Sequence, residues 1–245
     1  MGSGGRGGIS RTGFGTGADP WVYSIMANMG DKPVNYVSFY DAVRFANWLE
    51  NGQPTGTNQV AGTTETGSYT LFTDGTGPYS TTNVSARAAN ATWVVPTENE
   101  WYKAAYYQPS GAGGPSDNYW LYPIQSDSVP RVGLADATGN LTNDGPTVAN
   151  YTFGADWNGE NGNVTTVGSG GISSDSYYGT FDQAGNVHEW NDAIVGVTRR
   201  GGAFSLNESY LRSSSRADDR PWLELADIGF RVAAIPEPSD RKSVV

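Results

Sequence analysis

The sequence predicts an α+β domain with two main helices, short strands and long loops. Two segments combine capping residues with apolar spacing typical of helices, and two segments near the C-terminus have the patterns of strands. Elsewhere Gly, Ser, Thr and Asn are abundant, whereas charged residues make up only 16% of the chain. The 245 residues, 12% of them aromatic, suffice for one large domain with a substantial core.

The first predicted helix lies in the segment KPVNYVSFYDAVRFANWLENGQP, residues 32–54. Ser38 is the expected N-cap, with Asp41 three residues later in the capping-box position. Gly52 and Pro54 are expected to end the helix. The apolar residues that follow helical spacing are Phe39, Ala42, Val43, Ala46 and Leu49.

The second predicted helix lies in VVPTENEWYKAAYY, residues 94–107. Thr97 is its expected cap, Glu100 completes a Thr-x-x-Glu capping box, and Pro109 ends the segment. Glu98 and Glu100 could be a pair of catalytic carboxylates. We favour their interpretation as first-turn acids, which the helix dipole and the cap stabilise.

The remaining segments are predicted to be mostly loop. The Gly-rich residues 1–20 and the Thr-, Gly- and Asn-rich residues 53–92 read as loops, the latter with short strands, and turn residues dominate 109–180. The segments TRRGGAFS, residues 198–205, and IGFRVAAI, residues 228–235, read as two strands, the first with a Gly-Gly bend.

Composition excludes several classes of function. The net charge is −10 and the 15 Lys and Arg residues are scattered, so we expect no nucleic-acid surface. The chain has no cysteine, which removes thiolate metal sites and a Cys nucleophile. One histidine cannot build a multi-histidine centre, and a Ser-His-Asp triad has no G-x-S-x-G support. No stretch approaches the roughly 20 apolar residues of a membrane helix, and the first residues lack the apolar region of a signal peptide.

Five ordered segments resemble one known family. They are PVNYVSFYDAVRFANWL, VPTENEWYKAAYY, DQAGNVHEW, RRGGAFS and IGFRV. In this order they are similar to the sulfatase-modifying factor family of formylglycine-generating-enzyme-like domains. The resemblance implies a variant of the C-type lectin fold over residues 33–234. Residues 1–32 would then be the Gly-rich remnant of a truncated domain, because the family's upstream strand motif is absent.

The ends of the chain suggest a fragmentary gene. We expect Met1 to be a start within a longer gene. The segment IPEPS, Ile235–Ser239, resembles the Pro-Glu-Pro sorting signal of bacterial exported proteins, although the apolar anchor helix and basic cluster do not follow. The last six residues, DRKSVV, match what a sequencing-library adapter would encode. Residues 235–245 are therefore interpreted as a sorting-signal remnant with an artefactual tail. The motif predicts export to the cell surface or beyond it in a Gram-negative-type bacterium.

The resemblance implies copper chemistry, but this chain lacks the cysteine ligands that such chemistry needs. Oxidising members use two cysteines after the R-G-G strand, and thiolates hold Cu(I) where hydroxyls and amides do so poorly. The matching positions fall near Leu206 and Leu211. Copper is therefore not expected, nor is conversion of a sulfatase cysteine to formylglycine. The related iron-dependent branch is excluded as well, because its histidine-rich domain is absent.

The resemblance also implies calcium at DQAGNVHEW, residues 182–190. Asp182 and Glu189 supply carboxylates, and a turn can aim the carbonyls of Gly185 and Val187 inward, an oxygen-only set that suits calcium. The alternative is a Gly-Asn turn whose carboxylates pair with arginines. His188 occupies a position that is usually tryptophan in the family and reads as a packing substitution.

A second implied calcium site is aligned more loosely. Its predicted ligands are Asn150, the backbone of Tyr151, Glu160 and Asn161, and Asp156 and Asn158 are further candidates. The spacing is not that of an EF-hand, because position twelve is Val167. Both sites would be structural and would fix long acidic loops.

Three functions remain open from the sequence. The first is a non-catalytic, calcium-stabilised binding module for a glycan or protein, with Asn207, Tyr210, Arg212 and Trp222 on its recognition face. The second is an enzyme of the family with unknown metal chemistry at carboxylates and His188. The third is a structural component of an extracellular matrix. Arg200, Arg216 and Arg231 could bind an anionic ligand, but the resemblance favours internal pairs with carboxylates.

Overall fold

The two predicted helices form where their capping and apolar patterns place them. The computed structural model describes residues 4–17, 19–56, 59–73, 82–143, 147–192 and 197–235. Helix α1 spans Phe39–Glu50 and helix α2 spans Glu98–Tyr106. Thr97 caps α2 and forms the predicted capping box with Glu100, because each side chain accepts a hydrogen bond from the other's backbone N–H.

The strands are short, and their bounds are as follows. They are β1 Ile9–Thr12, β2 Val22–Ile25, β3 Leu71–Thr73, β4 Thr82–Val84, β5 Trp93–Val94, β6 Arg131–Val132, β7 Val148–Ala149, β8 His188–Asn191, β9 Val197–Arg200, β10 Ala217–Asp219, β11 Ile228–Gly229 and β12 Ala233–Ala234. Of two short 3-10 turns, Ser110–Ala112 lies between α2 and β6 and Glu208–Leu211 lies between β9 and β10. Two helices with short strands and long connections make an α+β fold, which confirms the predicted class.

The largest sheet of the described residues has four strands in the order β10-β9-β8-β11. Strands β8, β9 and β10 pair antiparallel, while β11 pairs parallel to β8 with Ile228 opposite His188. The remaining strands form two-stranded ladders: β1 with β2, β3 with β4, β5 with β12, and β6 with β7. The four-stranded sheet therefore contains the histidine of the DQAGNVHEW segment and one end of the R-G-G strand.

The contacts divide the chain into two units. The first unit comprises the described parts of Met1–Ser38 and Thr97–Phe230, and the second those of Phe39–Pro96 and Arg231–Val245. In the second unit α1 packs against β5, and the Tyr69 hydroxyl donates to the Val95 carbonyl and accepts from its N–H.

The first unit contains several apolar clusters. One includes Trp157, Val164, Val187 and Phe204. Another joins Tyr122, Ile124, Ala149, Tyr151, Ala184 and Leu211. A third packs Trp101, Ala105 and Tyr106 of α2 together. Loops make up most of this unit, so aromatic rings and aliphatic side chains from loops supply much of its buried apolar area.

Two details of the predicted secondary structure were wrong. Residues 1–20 were expected to be loop, whereas β1 pairs with β2 in a hairpin. Gly13, at φ +92° and with the Pro20 carbonyl oxygen 2.3 Å from where a Cβ would lie, belongs to the connection between the strands, so the Gly content supplies turn geometry. The single strand expected over 228–235 is two short strands, β11 and β12, which pair with different partners.

Other predictions lie partly outside the described residues. Of the Pro-Glu-Pro motif, only Ile235 falls among them, and Pro236–Ser239 and the DRKSVV tail lie outside. The described helices include none with the length and apolarity to cross a membrane.

Candidate functional site

The DQAGNVHEW loop turns through three residues with left-handed backbone. Asp182, Gly185 and Asn186 have φ of +59°, +80° and +63°. Gly185 lies opposite Asn150 in a parallel bridge, and a Cβ on it would lie 2.1 Å from the Asn150 carbonyl oxygen. Glycine is therefore required at 185 for two reasons, its positive φ and the close approach of a second backbone segment.

Asparagine side chains join this loop to the Asn150 segment. The Asn186 Oδ1 accepts from the Thr165 N–H at 2.9 Å, and its Nδ2 donates to the Thr165 carbonyl at 3.1 Å. The Asn150 Nδ2 donates to the Asn163 carbonyl at 2.8 Å. All four side chains are buried. The loop and the segment around Asn150, predicted as two separate calcium sites, thus share one hydrogen-bond network.

The two carboxylates predicted for the first calcium site accept hydrogen bonds from other elements. Asp182 Oδ2 accepts from the Gly168 N–H at 2.7 Å. Glu189 is 4% exposed, and its Oε2 accepts from the Trp101 indole Nε1–H of α2 at 2.6 Å. Each of these bonds engages one oxygen of a carboxylate. The ligand set Asp182, Gly185, Val187 and Glu189 remains a prediction.

Asn150 is the best candidate for a cation ligand in the second predicted set. It is 2% exposed, and its Oδ1 has no hydrogen-bond partner among the residues that the structure describes. A buried amide oxygen without a partner costs free energy, which a hard cation would recover because calcium takes amide and carbonyl oxygens as ligands. The donor chemistry at Asn150 therefore fits calcium.

The other three residues of that set have different contacts. Glu160 forms an ion pair with Arg6 at 3.1 Å and accepts from the Gly5 N–H at 2.9 Å. The Asn161 carbonyl accepts from Arg6 at 2.7 Å, and the Tyr151 hydroxyl donates to the Pro130 carbonyl at 2.6 Å. No group of three His, Cys, Asp or Glu side chains that could hold a metal occurs among the residues that the structure describes. A calcium site here would therefore need mainly neutral oxygen ligands.

His188 is a buried side chain of β8. Its ring meets the Tyr210 ring edge-on at 6.3 Å, and its backbone N–H donates to the Asp227 carbonyl at 2.8 Å. Burial, followed by the charge of Arg199, lowers the pKa of His188 to about 4. A neutral histidine packed on an aromatic ring agrees with the predicted packing role.

One of the two positions that the resemblance assigns to copper-binding cysteines lies in the core. Leu211 is fully buried in the cluster that includes Tyr122 and Tyr151. Leu206 accepts the Thr152 N–H on its carbonyl at 2.7 Å. Two aliphatic side chains at these positions offer no ligand for copper.

The segment Ser205–Asp227, named here the recognition segment, contains the four predicted ligand-binding residues. Tyr210 is 40% and Trp222 is 56% exposed. Asn207 accepts the Ser209 N–H at 3.0 Å and so caps the 3-10 turn, and Arg212 donates to the Tyr122 hydroxyl at 3.2 Å. Tyr210 and Trp222 therefore expose large aromatic surfaces, whereas the side chains of Asn207 and Arg212 make hydrogen bonds that hold the segment in place.

Internal pairs with carboxylates were expected for Arg200, Arg216 and Arg231, and the structure shows them for the first two. Arg200 donates to Glu98 Oε1 from Nε at 2.8 Å and pairs with it from Nη2 at 2.6 Å. Arg216 contacts the same carboxylate at 3.4 Å and Asp218 at 2.9 Å. Glu98 thus serves the structure as a first-turn acid and an ion-pair partner.

Sequence reasoning missed the hydrogen bond from Trp101 to Glu189 and the unpartnered oxygen of Asn150. The P-T-E-x-E-W and G-N-V-x-E-W motifs contain Trp101 and Glu189, but no local pattern shows that residues 88 positions apart share a bond. Asn186 was also missed, although an Asn that follows Gly in a turn is a signal for left-handed backbone and side-chain bonding.

Comparison with known proteins identifies the family. The family profile described as "Sulfatase-modifying factor enzyme 1-like domain" matches residues 15–235. Among solved structures, the chain is similar to Treponema denticola variable protein 1, at 19% identity and a TM-score of 0.47, with 87% of this chain and 74% of that one covered. It is also similar to the crystal structure of CarF, at 22% identity and a TM-score of 0.49, with 85% and 69% covered. Comparison with curated proteins finds no match. The profile match covers most of the chain and begins upstream of the boundary expected at residue 33, and it shows that the chain belongs to the family of sulfatase-modifying factor enzyme 1-like domains.

Proposed function

We propose that this chain is a non-catalytic, calcium-stabilised, surface-exposed binding module built on the scaffold of its family. The recognition segment is its binding face. The observation that carries the proposal is that hydrogen bonds from other elements hold the backbone of this segment, while both of its aromatic side chains, Tyr210 and Trp222, are exposed.

Several elements hold the recognition segment. Arg200 Nη1 donates to the carbonyls of Ser213 at 3.0 Å and Ser215 at 2.8 Å. The Tyr106 hydroxyl donates to the Leu211 carbonyl at 3.1 Å, and the Ser213 N–H donates to the Leu121 carbonyl at 2.9 Å. A backbone ordered in this way loses little conformational entropy when a ligand binds.

The exposed side chains suit recognition of a large ligand. Tyr210 and Trp222 present rigid rings with a polar edge, which contribute much contact area at a low entropic cost. Arg220 lies 5.9 Å from the Trp222 ring centroid and adds a cation to the same face. A glycan or a protein surface is the ligand class that such a mixture of aromatic and hydrogen-bonding groups fits.

Two features support a role without the family's oxidative chemistry. The chain has no cysteine to bind copper, and Leu211 fills a core position where the resemblance places one of those ligands. Calcium in this proposal has a structural role, at the DQAGNVHEW loop and at the buried Asn150 Oδ1. Export to the cell surface is part of the proposal on the strength of the IPEPS motif.

Binding arrays test the recognition face. The calcium-loaded chain is applied to glycan and protein arrays, beside a Tyr210→Ala/Trp222→Ala double variant and a Tyr23→Ala control. Tyr23 is an exposed aromatic residue of β2, 57% exposed, outside the recognition segment. We expect specific spots that the control keeps and the double variant loses. Equal binding by all three proteins, or no specific spot at all, contradicts the proposal.

Metal analysis tests the non-catalytic part separately. The purified chain is analysed by mass spectrometry for calcium, copper and iron after expression with all three metals supplied. The proposal expects calcium alone at stoichiometric level. Stoichiometric copper or iron would instead support an enzyme with unknown metal chemistry.

A further inference from the structure

We infer that Tyr107, Tyr119, Tyr177 and Tyr178, named here the tyrosine platform, form a second binding site that takes a neutral polysaccharide. The platform is built from the end of α2, the loop that follows it and the turn at 176–180, and none of its residues belongs to the recognition segment. The inference does not depend on the proposed binding face.

The four rings form one continuous aromatic surface. Tyr107 meets Tyr119 edge-on with centroids 5.2 Å apart, and it lies nearly parallel to Tyr178 at 6.4 Å and 16°. Tyr177 meets Tyr178 edge-on at 5.3 Å. Tyr177 and Tyr178 are 41% and 49% exposed, and the other two rings are half-buried.

The platform is anchored to the core of the first unit. Tyr119 contacts Tyr102 at 5.3 Å, and Tyr102 contacts the fully buried Tyr106 at 5.0 Å. The rings therefore continue from the buried face of α2 to the surface without a gap in the aromatic contacts. Such an array keeps its geometry in the absence of a ligand.

Backbone pairing fixes each pair of rings. Tyr107 and Tyr119 lie opposite each other in an antiparallel bridge, flanked by the hydrogen bond from the Gln108 N–H to the Asn118 carbonyl at 2.9 Å. Tyr177 and Tyr178 lie at the tip of a turn that the Ser176 N–H closes on the Thr180 carbonyl at 2.9 Å. Little ordering entropy would be lost on binding.

The chemistry of the surface favours a sugar ligand. The C–H face of a pyranose carries partial positive charge and packs on the negative face of an aromatic ring, while its hydroxyls need hydrogen-bonding groups around the ring. The phenol hydroxyls supply such groups. In sequence, Asp175, Ser176, Gly179 and Thr180 flank the pair Tyr177 and Tyr178, and Asp117 and Asn118 precede Tyr119. A protein-docking patch would be expected to have a larger contiguous apolar area.

The charges favour a neutral polymer over an acidic one. Lys103 lies 5.5 Å from the Tyr107 centroid, and the exposed Asp117 and the half-buried Asp175 lie two residues before Tyr119 and Tyr177 in sequence. Arg200, which lies 5.0 Å from the Tyr102 centroid, is paired with Glu98. Carboxylates thus oppose the positive charges around the platform. The chain as a whole has a net charge of −10, which repels polyanions.

Affinity electrophoresis tests the inference. The chain migrates through native gels that contain hydroxyethylcellulose, glucomannan, mixed-linkage β-glucan or arabinoxylan, with alginate as the acidic comparison. At least one neutral polymer should retard the wild-type chain, and alginate should not. The retardation should persist at about 0.5 M NaCl, because contacts with a neutral polymer are not screened.

Three variants assign the site. Tyr177→Ala/Tyr178→Ala should weaken retardation about tenfold or more. Tyr23→Ala and Tyr210→Ala/Trp222→Ala should migrate as the wild type does. Loss of retardation only in the Tyr210/Trp222 variant would overturn the inference and leave the proposed binding face intact. Retardation of the platform variant at the wild-type level, or no retardation of the wild type by any neutral polymer, would also overturn it.

Chemical modification of the wild-type chain tests the inference without any substitution, and so remains informative if the Tyr177/Tyr178 variant does not fold. Tetranitromethane nitrates exposed tyrosines, and mass spectrometry locates the nitro groups. The retarding polymer should protect Tyr177 and Tyr178 and leave Tyr23 reactive. Equal nitration with and without polymer contradicts the inference. Protection of Tyr177 and Tyr178 by immobilised gelatin, a protein, but by none of the polysaccharides would contradict it as well.

Discussion

Single residues in the DQAGNVHEW loop determine whether two distant backbone segments can meet. Because Gly185 has no Cβ, the Asn150 carbonyl oxygen can lie where a side chain at position 185 would clash with it. The neighbouring Asn186 Oδ1 accepts a hydrogen bond from the Thr165 N–H. The lone histidine next to them is a buried neutral ring. The turn residues define the conformation of this loop. Substitution of Gly185 and titration of His188 should each change the stability of the fold measurably.

Replacing Gly185 with alanine should be strongly destabilising. The substitution combines left-handed backbone strain with a contact of 2.1 Å to the Asn150 oxygen, so we expect a loss of about 3 kcal/mol or more in unfolding free energy. Urea unfolding measures it. Gly159→Ala is the matched control, since Gly159 has φ +75° but open space around it, and should cost about 1–2 kcal/mol. Equal losses in the two variants would mean that the close approach has no energetic weight.

His188 should make the fold sensitive to acid. Its folded pKa of about 4 lies below the unfolded value of 6.5, so between these pH values the unfolded chain binds a proton that the folded chain does not. Its contribution to stability is therefore complete above pH 6.5 and is lost as the pH falls towards 4, by up to about 3 kcal/mol.

The comparison of wild type with His188→Phe isolates this effect. The variant keeps an aromatic ring against Tyr210 but cannot titrate. We expect the stability difference between the two proteins to shift towards the variant by up to about 3 kcal/mol from pH 7 to pH 4. Other acid-sensitive groups act equally in both, such as Asp136, whose pKa is lowered first by the backbone N–H of Asn140. Parallel pH profiles would refute the assignment.

Among the elements, α2 connects most of the features that define the site. Its first turn supplies Glu98 to two arginines, its middle supplies Trp101 to the buried Glu189, and its end begins the tyrosine platform. The capping box at Thr97 fixes where the helix starts and therefore which face each of these side chains occupies.

The two arginines that share Glu98 should differ in importance. Arg200 is 10% exposed and also holds the carbonyls of Ser213 and Ser215, whereas Arg216 is 45% exposed and lies 3.4 Å from the carboxylate. Arg200→Ala should cost about 3 kcal/mol or more, because it leaves the partly buried Glu98 carboxylate with only the longer contact to Arg216 and removes the donor to two carbonyls. Arg216→Ala should cost less than about 1 kcal/mol. Denaturant unfolding of both variants checks this, and similar costs would contradict it.

For the whole molecule, calcium should act as a stabilising ligand of the folded state. After exhaustive chelation, calcium at about 100 times its dissociation constant should add roughly 2.7 kcal/mol, which corresponds to a melting temperature about 5–10 °C higher for a domain of this size. Differential scanning fluorimetry measures the shift, with magnesium as the comparison ion. No shift contradicts the calcium proposal, and a full shift in Asp182→Asn removes Asp182 from the ligand set.

The fold was predictable from the sequence where the signal is local. The Thr97–Glu100 box and the apolar spacing of α1 determined both helices, whereas the strand predicted over residues 198–205 with a Gly-Gly bend ends at Arg200, before the glycines. The hairpin at the N-terminus was not predicted, since its strands are four residues long and a Gly-rich composition resembles a loop until a partner strand is known.

The sequence by itself determined the fold class, both helices and, through five ordered motifs, the family. Only the tertiary structure decided that Glu189 meets Trp101 and that tyrosines from positions 107 and 178 stack. It also decided that the Asn150 Oδ1 is buried with no partner in the described part of the chain. The physical reason is range. Caps and apolar periodicity act within a few residues along the chain, whereas hydrogen bonds and ring contacts between loops depend on which distant backbones the core brings together.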